Sequence, residues 1–196
     1  MPSKIISKIV DGATELFAKQ GYYGASTREL AQKSDVSEVS LYRLFLNKEK
    51  LFRECLMTVV EQSLDPAQFQ AAMEQEPDEE RADAMARAVR RWYFSISATS
   101  SRLLMQAALS DNKEWATLAY SRTGKIIAML ARATEREMNV PKGRAMVAAR
   151  MLILALFQFK IARPLLMGTE KERDAVDHII QQWLQGLGHL PQAARS

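Results

Sequence analysis

The chain has 196 residues, 47% of them hydrophobic and 26% charged, with a formal net charge of +4 and a pI near 9.2. That balance excludes a disordered polymer and permits, without requiring, a nucleic-acid partner. The one cysteine, Cys55, excludes an intrachain disulfide, and with His178 and His189 as the only histidines neither a metal nor a cofactor is expected. The amino terminus, MPSKIISKIVDG, interrupts its apolar residues with Lys4, Lys8 and Asp11 and does not read as a secretory signal. The longest apolar run, Met151 to Phe157, is far shorter than the roughly 20 residues of a spanning helix. A cytoplasmic protein away from the membrane is expected.

In chain order, apolar residues recur at helical spacing and no alternating strand pattern is present, so the class is all-α. A first helix carries Ile6, Ile9, Ala13, Leu16 and Phe17 on one face and stops at Gly21. A second opens at Ser26, with Glu29 three residues on to complete a capping box, and runs to about Ser34. A short third starts after Ser37 and a fourth after Asn47, reaching about Leu64, where Asp65 and Pro66 break the pattern. Further helices are expected at about 78–98, 100–109, 112–138, 142–163 and 171–187, the fourth of these opened by Pro141 and closed by Pro164. That makes about nine helices and two modules, 1–64 and 65–196. The polar tail from Gly188 to Ser196 is expected to be mobile.

The segment from Ser26 to Lys48 has the requirements of a helix-turn-helix: a small residue, Ala31, where two helices meet, Leu30, Val36, Leu41 and Phe45 for their shared core, and a polar outer face. That face shows Glu38, Val39, Tyr42 and Arg43, with Ser40 at its edge. Such side chains can read base edges, since Glu accepts from cytosine, Arg donates to guanine and Val touches a thymine methyl; the bases stay unassigned. Thr27 and Arg28 in the first turn of one helix, and Lys48 in that of another, suit phosphates, because free amides and the helix dipole favour an anion there. With the caps Ser26 and Ser37 these residues form the expected DNA-binding set. Net charge contributes little to this reading: residues 1–64 hold nine basic and eight acidic side chains.

The stretch ELFAKQGYYGASTRELAQKSDVSEVSLYRLFLNKEKLF resembles the DNA-binding domain of the tetracycline-repressor (TetR) family of bacterial regulators, over roughly residues 5 to 64. Phe17, Gly21, Tyr22, Ser26, Thr27, Ala31, Val36, Ser37, Leu41, Tyr42, Phe45, Asn47, Lys48, Glu49 and Leu51 carry the likeness. It implies DNA contacts at Thr27, Arg28, Glu38, Val39, Ser40, Tyr42, Arg43, Leu44 and Lys48. Three residues depart from the pattern. Asp35 stands where the turn usually has Gly, Glu38 places a negative charge near phosphates, and Leu44 replaces an aromatic residue or His and is expected to pack inward.

Beyond residue 64 the resemblance extends to helical layout alone. It implies that the last two long helices pair with their twins in a homodimer, through Val147, Met151, Leu154 and Ala155 of one and Val176, Ile179, Ile180, Trp183, Leu184 and Leu187 of the other. Two recognition helices about 34 Å apart would then read an inverted-repeat operator. The resemblance also implies a ligand cavity, for which Trp92, Tyr93, Phe94, Met105, Trp115, Met129 and Phe157 are candidates, and a repressor released by a small-molecule effector. The alternative is a helical DNA-binding or protein-interaction module without small-molecule sensing. No phosphate loop, nucleophile motif or metal spacing points to an enzyme.

Overall fold

The computed structural model describes residues 2–63, 66–74, 81–166 and 172–188, and among these it holds ten helices and no strand. They are α1 (Pro2–Gly24), α2 (Thr27–Lys33), α3 (Glu38–Phe45), α4 (Lys48–Ser63), α5 (Pro66–Glu74), α6 (Arg81–Ser95), α7 (Ala98–Ala108), α8 (Lys113–Met138), α9 (Lys142–Leu166) and α10 (Glu172–Gly188). The helix missed from the pattern is α5. Pro66 does not merely break there: it occupies the first helical position, where its missing N–H is no loss. Pro164 does not close α9, which continues to Leu166. Residues 189–196, expected to be mobile, lie outside the described residues.

Two compact units result, Met1–Leu64 with Ser97–Ser121, and Asp65–Ile96 with Arg122–Ser196. The division expected at residue 64 differs from this, because α7 packs on α1 and α4 and belongs with them. Leu103, Leu104 and Ala107 of α7 are buried, and Gln106 Nε2 donates to Ala18 O at 3.3 Å.

In the first unit, Ile9, Ala13 and Phe17 lie on the buried face of α1, as their spacing predicts. Gly21 breaks this helix with φ 78 and ψ 168, a conformation that only glycine adopts without strain. A second glycine has a packing reason. A Cβ on Gly12 would lie 3.2 Å from Ser34 Oγ and 3.4 Å from Lys33 Cγ, so its absence lets the end of α2 approach α1. Phe17, Tyr22, Phe52 and Trp115 form an aromatic cluster, with Phe52 and Trp115 centroids 4.5 Å apart and Tyr22 and Trp115 4.7 Å apart.

In the second unit α10 packs on α9 and α6. Val176, Ile180, Leu184 and Leu187 of α10 are buried, as are Leu152, Ile153 and Leu156 of α9. Lys160 is also buried; its ammonium donates to Tyr93 O at 2.7 Å and Ile96 O at 2.6 Å, satisfying carbonyls at the end of α6, and lies 3.9 Å from the Tyr93 ring centre. Length and hydropathy alone would let Lys142–Ala162 cross a membrane. The fold instead gives this segment one face in the core and one outside it.

Cys55 is fully buried in α4, and its Sγ–H points at Val10 O, 3.6 Å away. Burial pushes the thiol up to about 12. The folded state therefore keeps a proton that the unfolded chain releases above about pH 8.5, so the stabilisation is complete below that pH and is lost as pH rises toward 12. Between pH 9 and 12 the unfolding free energy of the parent protein should fall more steeply than that of Cys55→Ala, by up to about 1.4 kcal/mol per pH unit. Denaturant titrations at several pH values measure this; parallel pH profiles for the two proteins would contradict it.

Candidate nucleic-acid interface

The helix pair α2 and α3 is built from local signals that the structure realises one by one. Ser26 Oγ accepts from Glu29 N at 3.2 Å, while Glu29 Oε2 accepts from Ser26 N at 3.0 Å and Ser26 Oγ at 2.6 Å, a complete capping box. These bonds, with one from Gln20, hold the Glu29 carboxyl below its ordinary pKa. Leu30, Ala31, Leu41 and Phe45 are buried and Val36 is half-buried, so the two helices share the core their spacing implies. At the turn, Asp35 has φ 56, the left-handed backbone a glycine would take more cheaply, and its carboxylate accepts from Lys8 Nζ at 3.0 Å.

The short helix α3 is held at both ends. Ser37 Oγ accepts from Ser40 N at 3.1 Å and donates to Ser40 Oγ at 3.0 Å. At the other end Leu46 has φ 65 and ψ −47, and Asn47 N donates to Phe45 O at 2.7 Å, a γ-turn of the strained positive-φ kind. Asn47 Oδ1 then caps α4 by accepting from Lys50 N at 2.8 Å.

Between these ends Glu38, Val39, Tyr42 and Arg43 are exposed, Val39 to 78%, and Ser40 is half-buried at the edge. Ser26, Arg28 and Ser37 are exposed beside them and Thr27 is half-buried. Thr27 Oγ1 donates to Glu38 Oε2 at 3.2 Å, joining the first turns of the two helices.

Two of the expected contacts take another form. Lys48 is turned inward: its Nζ donates to Tyr22 O at 2.8 Å and Ala25 O at 3.0 Å and lies 4.5 Å from the Tyr22 ring centre. These carbonyls follow the Gly21 break and need a donor, which is what draws the ammonium in. The Tyr22 hydroxyl is raised in pKa by burial, then by the Glu49 carboxylate and Tyr23. Leu44 does not pack inward. It is exposed and lines, with Ile6, Leu46 and Trp115, an open groove of about 660 Å³, because Leu41 and Phe45 already fill the inner face of α3.

The expected ligand set is divided. Met105 and Trp115 belong to the first unit, Trp115 being part of the aromatic cluster there. In the second unit Trp92 and Phe157 meet edge to face at 5.7 Å, and Trp92 Nε1 is buried with no hydrogen-bond partner among the described residues. Tyr93 is buried, its hydroxyl donating to Glu172 at 2.9 Å; Phe94 is 38% exposed and Met129 half-buried.

The dimer set divides too. Val147, Met151, Leu154 and Ala155 of α9 are exposed, Met151 to 65%, and the first three recur at i, i+4 and i+7 as one apolar stripe. By contrast Val176, Ile180, Leu184 and Leu187 of α10 are spent in the core of their own chain. Ile179 and Trp183 are half-buried, and Trp183 Nε1 donates to Ala148 O at 2.9 Å.

Two short helices meeting at a left-handed turn, the second with an uncovered polar face, define a helix-turn-helix domain. Residues 9–55 match the family described as bacterial regulatory proteins, tetR family. An uncharacterized HTH-type transcriptional regulator, YvkB of Bacillus subtilis (strain 168), is 41% identical over 49 residues, which are 25% of this chain and 26% of that protein. Over the whole chain, a TetR-like transcriptional regulator from Rhodococcus sp. RHA1 superposes with a TM-score of 0.73 at 18% identity, covering 94% of this chain and 96% of that one. NalD, the secondary repressor of the MexAB-OprM multidrug efflux pump in Pseudomonas aeruginosa, superposes with a TM-score of 0.63 at 21% identity, covering 94% and 97%. The amino-terminal domain is the DNA-binding helix-turn-helix domain of the tetR family of bacterial regulatory proteins, and the chain as a whole has the fold of TetR-family regulators.

Asp35 offers a direct test of the turn. Asp35→Ala should cost about 1 kcal/mol through the left-handed backbone, whereas Asp35→Gly should stay within roughly 0.5 kcal/mol of the parent protein because relief at the turn offsets the lost surface ion pair. Thermal unfolding ranks the three proteins, and equal loss in both variants would show that the ion pair rather than the backbone sets the stability of the turn.

Proposed function

We propose that this protein is a transcriptional repressor that binds an inverted-repeat operator as a homodimer in the bacterial cytoplasm and is released by a small-molecule effector. The observation that carries the DNA reading is the outer face of α3. An apolar Val39 exposed to 78% beside Glu38, Tyr42 and Arg43, on a helix fixed at both ends, presents base-reading groups with nothing covering them. Thr27, Arg28 and the caps Ser26 and Ser37 lie beside that face, where phosphate oxygens would run. Lys48 keeps one N–H beyond the two it gives to Tyr22 and Ala25, so its part in phosphate binding is secondary to holding the fold.

The homodimer reading rests on α9. A stripe of Val147, Met151 and Leu154 at helical spacing is self-complementary under a twofold axis, and burial of such side chains contributes roughly 1.5–3 kcal/mol each. The half-buried Ile179 and Trp183 of α10 would join it in place of the wider set expected from periodicity. For an effector, the supporting feature is Trp92. A buried indole N–H with no acceptor among the described residues costs about 1–3 kcal/mol, which a ligand oxygen would relieve. The likeness to NalD, itself a repressor, supports the sign of regulation. Release then requires the effector to favour the DNA-incompatible arrangement by about 1–3 kcal/mol.

Binding of the full-length protein to duplexes selected from a random pool tests the operator. The expected product is an inverted repeat whose affinity falls linearly with the logarithm of salt. Arg43→Ala should weaken that binding at least about tenfold with the helical signal unchanged; binding indifferent to sequence, in parent and variant alike, would refute the reading. In sedimentation at micromolar concentration, Met151→Asp should convert a dimer to a monomer, and a monomeric parent protein would remove α9 as the interface.

A further inference from the structure

On the recognition face, Glu38 is oriented by a hydrogen bond from within the protein before DNA arrives. Glu38 occupies the first turn of α3, and its Oε2 is held at 3.2 Å by the hydroxyl of Thr27, which is half-buried in the first turn of α2. The hydroxyls of Ser37 and Ser40, its neighbours in that turn, are occupied with each other. Arg28 and Arg43 are exposed nearby in sequence, yet Glu38 makes no ion pair among the described residues. The other carboxylate oxygen, Oε1, has no hydrogen-bond partner among the described residues and lies on an exposed face.

An ionised carboxylate only accepts. In the major groove guanine and thymine present acceptors that it would repel, adenine presents a donor beside the N7 acceptor, and cytosine presents the N4 amino group alone. A negative charge here also weakens attraction to any DNA, whatever its sequence. A surface helix needs no such charge to be aimed, since a dipole contribution from Glu at a helix start does not require a second residue to hold it.

We propose that Glu38, oriented by Thr27, is a specificity-determining residue that accepts a hydrogen bond from the N4 amino group of a cytosine in each operator half-site. This rests on the reading of α3 as the recognition helix.

The test is selection of duplexes from a random pool by the full-length parent protein and by Glu38→Gln, Glu38→Ala and Thr27→Val. The parent should enrich an inverted repeat with cytosine at one position of each half-site, and replacing that base pair should weaken binding about 5- to 100-fold. Glu38→Gln should shift that position alone to adenine, whose donor and acceptor an amide matches. Glu38→Ala should leave it indifferent while strengthening binding to unrelated duplex. Thr27→Val should keep cytosine with weaker discrimination. The proposal is overturned if Glu38→Gln and Glu38→Ala enrich the parental sequence unchanged at every position, which is the result if Glu38 only stabilises the helix start; that role would appear as a lowered unfolding temperature alone. If the parent protein enriches no inverted repeat, the operator reading itself fails and this assignment with it.

Discussion

The Lys48 ammonium closes the helix-turn-helix on itself. Its bonds to Tyr22 O and Ala25 O join the residues just before α2 to the first residue after the α3 turn, so both ends of the segment between them are pinned to one point. A single flexible side chain suffices because it answers a need already present. The break at Gly21 frees carbonyls that no helix can use, and an ammonium with three donors over the Tyr22 ring satisfies two of them. The aromatic cluster of Phe17, Tyr22, Phe52 and Trp115 then covers one side of that half-buried point, and partial shielding from water strengthens the same hydrogen bonds.

Strain is placed where this clip can hold it. Asp35 and Leu46, both with positive φ and neither a glycine, lie just outside the two ends of α3. Such residues cost of order 1 kcal/mol or more each and persist only where the surroundings over-determine them. Here the surroundings are the buried Leu30, Ala31, Leu41 and Phe45 within, and the caps Ser37 and Asn47 at either side. An eight-residue helix would not be stable alone in water, so its direction is a property of these anchors rather than of its own sequence.

Local chemistry made the first four helices legible. A capping box at Ser26 and Glu29, caps at Ser37 and Asn47, and a glycine stop at Gly21 each act within a few residues, and each appears in the fold where the sequence places it. Side chains whose partners are distant in sequence were not legible. Lys48 reads as a phosphate ligand until the carbonyls of Tyr22 and Ala25 are seen beside it, and Leu44 reads as inward until it is found on an open groove with Ile6 and Trp115. The same limit applies to α10, where periodicity finds an apolar stripe and cannot say whether the chain's own core or a second copy covers it. Gly12 carried a usable signal, since a lone glycine within a helical pattern often marks a close approach. Trp115 carried none, because an aromatic residue at the start of a helix suits any core.

The return of Ser97–Ser121 to the amino-terminal unit means that this domain is assembled from two separate stretches of chain. Trp115 against Tyr22 and Phe52, and Glu114 paired with Arg53 at 2.6 Å, are supplied by the second stretch. Residues 1–64 are thus not a self-contained cassette. Grafted by themselves onto another regulator, they would present an uncovered aromatic face, and a hybrid that kept its footing would have to carry the later segment along or supply a host helix with an equivalent ring. The order in which the chain is made has the same consequence: the amino-terminal unit cannot be completed until well over half of the protein has left the ribosome.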